Sequence, residues 1–135
     1  MTDEYPDPEV VDLATRLFGC ARTGDTATLT AHIDAGVPVN LTNDKGDTLL
    51  MLAAYHGHHT TVAALLERGA DPDRLNDRGQ SPLAGAVFKG EEAIIALLVA
   101  HGADPDAGTP GARDTARVFG RTDLLALLDA RPEGH

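Results

Sequence analysis

Glycine returns in this chain on a fixed beat. Gly36, Gly69 and Gly102 are each 33 residues apart, and so are Gly24, Gly57 and Gly90. The neighbouring residues are copied with them. "LLERGADPD" begins at Leu65, "LLVAHGADPD" begins at Leu97, and a fainter copy, "HIDAGVPVN", begins at His32. A period of this length confines the chain to a stack of similar units. One unit cannot bury its own apolar face, and stacking builds the core.

Each unit has a helical rhythm. Val62, Leu65 and Leu66 fall at i, i+3 and i+4, and Ile94, Ile95, Leu98 and Val99 repeat the pattern. Such spacing puts the apolar residues on one face of a helix. Gly36, Gly69 and Gly102 follow these stretches, where glycine closes a helix in the left-handed conformation. A second, shorter helix is expected before each inner glycine, in "GDTLLMLAAYHG" (46–57) and "GQSPLAGAVFKG" (79–90). Thr48 and Ser81 suit the N-cap, and Pro82 suits the first helical position. Ala53, Ala54, Ala86 and Val87 are small enough for close helix packing. The connecting stretches "VNLTNDKG" and "DPDRLNDRG" carry the Asn, Asp and Gly of turns.

These residues resemble the ankyrin repeat family. "GDTLLMLAAYHGHHTTVAALLERGADPD" and "GQSPLAGAVFKGEEAIIALLVAHGADPD" follow its pattern G-x-T-P-L-H-x-A-A-x-x-G-H, then V-x-x-L-L-x-x-G-A-D-x-N, and its period is the same. "LFGCARTGDTATLTAHIDAGVPVN" is a looser copy that reads as an N-terminal capping repeat, and "GARDTARVFGRTDLLALLDA" is a recognisable fourth. The resemblance implies an all-α solenoid of about four helix-turn-helix repeats with β-hairpin-like loops. The expected organisation is a tail or helix start at 1–12, a repeat domain at 13–130 and a tail at 131–135. Within the domain the units are 13–45, 46–78, 79–110 and 111–130. Gly120 follows Gly90 by 30 residues instead of 33, so three are missing between Gly102 and Gly111. The last hairpin should be shortened or absent. Asp129 takes the slot of Leu66 and Val99, and Arg113 that of Leu50 and Leu83, as suits a polar end cap.

The chain has 135 residues, 42% of them hydrophobic, a formal net charge of −10 and a pI of about 4.8. That acidity opposes nucleic acid and anionic membranes and favours a protein partner with a basic patch. Cys20 is the single cysteine, so no internal disulfide can form. No apolar run approaches the roughly 20 residues of a membrane span. The acidic, proline-bearing N-terminus is unlike a signal peptide. A cytoplasmic, bacterial, monomeric protein is expected.

Catalytic and cofactor chemistry find little footing. Cys20 sits in the slot of Ala53 and Ala86 and reads as an inert buried thiol. His32 replaces Leu65 and Leu98 and reads as a hydrogen-bonded histidine of the capping repeat. Asp71, Asp73, Asp104 and Asp106 recur at the period and belong to the loop, whereas a catalytic pair would occur once. No phosphate loop, nucleophile elbow or dinucleotide fingerprint is present. The expectation is no enzyme, no cofactor and no metal. "HGHH" (56–59) keeps open the alternative of a metal- or ligand-binding sensor, and an accessory subunit of a redox or stress enzyme is a further alternative.

In the family, the first helices form a palm, the hairpins form fingers, and partners bind the concave face. Tyr55 and Phe88 are 33 residues apart and share one slot, which Arg22 and Val118 fill in the outer repeats. Their neighbours are His56, Lys89 and Phe119. The finger residues are Asp44, Lys45 and Asp47, then Leu75, Asp77, Arg78 and Gln80. Together these thirteen residues are the expected partner-binding set, an aromatic centre within a polar rim. The competing reading is that Tyr55 and Phe88 merely pack on each other. The functional expectation is a protein-interaction module, in its sharpest form an inhibitor or immunity-type protein against a basic partner.

Overall fold

The structure, a computed structural model, describes residues 8–130. Of the expected tail or helix start at 1–12, residues 1–7 lie outside the described residues and 8–12 begin the first helix; the expected tail at 131–135 also lies outside them. Eight helices follow in order: α1 (Pro8–Thr23), α2 (Thr26–Asp34), α3 (Leu49–Tyr55), α4 (His59–Glu67), α5 (Pro82–Lys89), α6 (Glu92–Ala100), α7 (Ala112–Val118) and α8 (Thr122–Leu128). Odd-numbered helices stack on one another as an inner layer, and even-numbered ones form an outer layer. Among the described residues the only β pairing is an isolated bridge between Thr42 and Thr48. The fold is an all-α solenoid.

Local chemistry sets the helix ends. Thr48 Oγ1 accepts from the Met51 amide, and Ser81 Oγ from the Ala84 amide, each at 3.0 Å. Asp25 caps α2 through the Thr28 amide and hydroxyl. These two bonds hold its carboxyl below the ordinary carboxylate value. Gly24, Gly57, Gly90 and Gly120 turn the chain between paired helices with φ between 66° and 81°. At Gly24 a Cβ would also strike the His58 ring at 2.6 Å.

The periodic apolar residues make one continuous core. Leu17, Leu50 and Leu83 succeed one another in the inner layer, and Leu29, Val62 and Ile95 in the outer, all at most 1% exposed. Burying a side chain of this size stabilises by about 1.5–3 kcal/mol. Arg113 and Asp129 replace core residues in the last unit and pair with each other, and Arg113 Nε also meets Asp106 at 3.1 Å. The two polar exceptions to the repeat are therefore partners.

The copied acidic loops are inter-repeat staples. Asn40 Oδ1 accepts from the Asp71 amide at 2.8 Å, and Asp73 Oδ1 from the Asp104 amide at 2.7 Å. Asp71 and Asp104 bind the amides two residues on. Burial, then the charges of Asp104 and Asp71, raise the Asp73 carboxyl above its usual value, against the lowering effect of its bond from the Asp104 amide. The outer layer adds its own links. Arg68 clasps both oxygens of Asp34 at 2.9 and 3.2 Å, and Thr26 bonds Thr61 at 2.7 Å.

One expectation needs correction. Cys20 is half-buried, unlike Ala53 and Ala86, because it belongs to the first repeat, and among the described residues no further unit stacks on it. Its Sγ lies 3.9 Å from Asp25 Oδ2. Burial and the Asp25 charge raise the thiol above its ordinary value, which keeps it protonated and a poor nucleophile. His32 is half-buried and donates from Nδ1 to the Thr28 carbonyl at 2.9 Å.

Candidate binding groove

The fingers are built by two asparagines. Asn43 Oδ1 accepts from the amides of Lys45 and Asp47, and Asn76 Oδ1 from those of Arg78 and Gln80, at 2.9–3.0 Å. The Asn76 amide group also donates to Asp47 Oδ1 and Gln80 Oε1, each at 2.8 Å. The Asp77 amide donates to the Lys45 carbonyl at 3.0 Å, locking one finger to the next. The loop after α6 is the shortened one. It still reaches the second finger, where the Thr109 amide donates to the Gly79 carbonyl at 2.9 Å.

Between these fingers and the inner helices lies a groove of about 560 Å³. Its finger wall is Asp47, Asn76, Arg78 and Gln80, and Pro110 bounds it beyond them. Its palm wall is Tyr55, His56, Phe88, Val118 and Phe119. Met51, Leu52, Ser81, Ala84, Gly85 and Thr115 line the remainder. The hollow has a simple origin. Where α3 carries Met51 and Leu52, α5 carries Ala84 and Gly85 in the same slots. Two large side chains are missing from the middle of the inner layer. Gly85 is also costly, since glycine inside a helix destabilises by about 0.5–1 kcal/mol relative to alanine. No steric demand explains it: a Cβ at Gly85 would meet only Tyr55 Cδ1, at an ordinary 3.7 Å.

The palm wall is apolar and open. Tyr55 is 40% exposed, Phe88 55%, Phe119 57% and Val118 76%. Tyr55 and Phe88 do not form the pair that the packing reading required. Phe88 stands edge-on to Phe119 at 5.4 Å, and Tyr55 edge-on to His56 at 5.4 Å. Lys89 Nζ sits 4.9 Å over the Tyr55 ring, a cation–π contact. Burial lowers the His56 imidazole below its ordinary value, with the charges of His58, Arg22 and Lys89 adding to the effect.

Of the thirteen expected residues, seven line the groove: Asp47, Tyr55, His56, Arg78, Gln80, Phe88 and Phe119. Lys89 and Arg22 border it through Tyr55 and His56. Asp44, Lys45 and Asp77 stay at the exposed finger tips, and Leu75 lies apart, beside Gly108. Sequence reasoning overlooked Ala84, Gly85 and Asn76. Their signals were present: the shrinkage from Met51–Leu52 to Ala84–Gly85, and the recurrence of Asn43 as Asn76 at the repeat period.

Within "HGHH", His58 serves the fold and His56 lines the groove. His58 Nε2 donates to the Arg22 carbonyl at 2.6 Å, tying the second unit to the first, while His56 turns to Tyr55. Among the described residues no three His, Cys, Asp or Glu converge to hold a metal. Among them also, no helix is long and apolar enough to cross a membrane.

Comparison with known proteins agrees with this geometry. The family described as ankyrin repeats (three copies) matches residues 17–109. A Pseudomonas aeruginosa protein whose name places it among ankyrin repeat proteins is 48% identical over 52 residues, 38% of this chain and 30% of that protein. The crystal structure of the human ASB11 ankyrin repeat domain superposes with a TM-score of 0.73 at 28% identity, covering 83% of this chain and 52% of that one. The chain thus spans about a third of the bacterial relative and half of the human domain. It belongs to the ankyrin repeat family.

Proposed function

We propose that this chain is a protein-binding module that seats a segment of a partner protein in the groove between palm and fingers. Ankyrin repeats are in general protein–protein interaction modules and typically non-enzymatic scaffolds. One observation carries the assignment to this groove: Ala84 and Gly85 open a hollow directly beside Tyr55, Phe88, Val118 and Phe119, which stand exposed. Exposed aromatic anchors around a concavity are the usual seat of interface energy. The net charge of −10 supports a finer reading, an inhibitor or immunity-type protein drawn at long range to a partner with a basic surface.

The groove can be filled without touching the core. Gly85→Leu restores the residue that α3 carries at this slot. A random peptide library displayed on phage is selected on the chain and counter-screened on Gly85→Leu. Groove binders that lose the variant while its helical circular dichroism is unchanged support the reading. Absence of any binder, or binders indifferent to Gly85→Leu, sinks it.

A further inference from the structure

Two cations beside the groove lack an ion-pair partner, as Arg16, Lys45 and Arg74 do elsewhere among the described residues. The chain has 21 acidic and 11 basic residues, so a cation can readily find a carboxylate. Four do, away from the groove: Arg68 with Asp34, Arg113 with Asp106 and Asp129, Arg117 with Asp114, and Arg121 with Asp123. Arg78 and Lys89 do not. Arg78 is exposed on the finger wall, and the Lys89 ammonium lies over the Tyr55 ring. Neither has an ion-pair partner among the described residues. Arg22 is likewise unpaired and close enough to His56 to act on its ring. The one carboxylate lining the groove, Asp47, already accepts a hydrogen bond from Asn76.

Two cations thus stand without ion pairs beside an apolar hollow, Arg78 on its finger wall and Lys89 at its palm edge over Tyr55. Long-range steering follows the net charge, but contact-range complementarity follows the nearest groups, since screening is severe beyond roughly 8 Å at physiological salt. A basic segment lying here would face Arg78 and Lys89 at close quarters, and like charges so placed are strongly unfavourable. An uncharged apolar segment would leave both cations idle. A carboxylate would gain charge-assisted hydrogen bonds from either wall.

Resting on the protein-binding reading above, we propose that the segment seated in this groove is an acidic–apolar peptide. A large apolar side chain enters the hollow over Ala84 and Gly85, and flanking Asp or Glu carboxylates meet Lys89 at the palm edge and Arg78 on the finger wall. The basic surface suggested by net charge, where a partner has one, lies outside the seated segment.

Three fluorescent peptides of roughly ten residues share a Leu-Phe centre and differ only in flanking Glu, Gln or Lys. Anisotropy should rank them Glu, then Gln, then Lys, with about tenfold between the first two. The double variant Arg78→Glu with Lys89→Glu should reverse the order while its circular dichroism stays unchanged. A Lys peptide that binds the unaltered chain best, or a ranking that the double variant leaves intact, overturns the proposal. The phage-selected binders give an independent readout. Binders that depend on Gly85 yet lack Asp and Glu enrichment overturn this inference alone, whereas absence of Gly85-dependent binders removes the protein-binding reading beneath it.

Discussion

The loop side and the palm both present polar and charged groups to solvent, and they differ in what those groups are doing. On the loop side Asp71, Asp73 and Asp104 each hold a backbone amide, and Asp106 holds the Arg113 guanidinium. Asn40 and Asp73 make the same staple at two successive junctions. Across the groove, Arg78 on the finger wall and Lys89 beside the palm have no ion-pair partner among the described residues, and Tyr55, Phe88 and Phe119 leave much of their surface in water. Repetition with satisfied chemistry marks scaffold. Exposed rings and cations that no neighbouring repeat takes up are where we place the binding surface.

The largest expected effect tests that separation directly. Tyr55→Ala with Phe88→Ala should weaken groove binding by about 2 kcal/mol or more, the scale of interface anchors. Helical circular dichroism should be retained. Unfolding of the double variant would instead make these rings part of the scaffold.

A substitution on the loop side should do the reverse. Asp73→Ala removes the acceptor of the Asp104 amide and should cost about 1 kcal/mol of stability, read as a lower urea midpoint, with groove binding unchanged. Asp73→Asn keeps an acceptor, as Asn40 does one repeat earlier. It should match or exceed the unaltered chain at neutral pH. The sign follows from the raised carboxyl of Asp73. Its contribution is fully present below the unfolded carboxylate value and is lost as pH rises through the folded one. Asp34 and Asp123 act oppositely. Bonded to Arg68 and Arg121, their lowered carboxyls contribute above the ordinary carboxylate value and lose that contribution as pH falls through the folded one. A midpoint for Asp73→Asn as low as that for Asp73→Ala would mean that the charge, and not the acceptor, holds the staple.

The smallest effect is a gain. Gly85→Ala adds a methyl group where only Tyr55 is near, and should stabilise by about 0.5–1 kcal/mol. It should also narrow the hollow and weaken binding slightly. A thermal midpoint that falls would show that Gly85 serves the packing of α5.

Most of the fold was legible because its determinants are local and repeated. Thr48, Ser81 and Pro82 do at their helix starts what their side chains favour anywhere, and the period then says how the units stack. The groove was legible only in outline. Tyr55 and Phe88 could be placed on one face by their spacing. That Phe88 would turn to Phe119, and Tyr55 to His56 and Lys89, depends on the side chains of neighbouring units. The hollow was harder still, because it is made by absence: Ala84 and Gly85 are unremarkable until set beside Met51 and Leu52. Cys20 misled for a related reason. A slot buried in the interior of an array is only half-buried at its edge.

The hydrogen bonds that chain the fingers together have a thermodynamic consequence. Asp77 donates to Lys45, Thr109 to Gly79 and Asn76 to Asp47, so this wall is ordered before anything meets it. Docking then costs the array little conformational freedom, and the ordering penalty falls on the incoming segment. Two partners with the same contact residues should differ in affinity according to how far each is already extended in solution, and stiffening the ligand should strengthen binding more than stiffening the host.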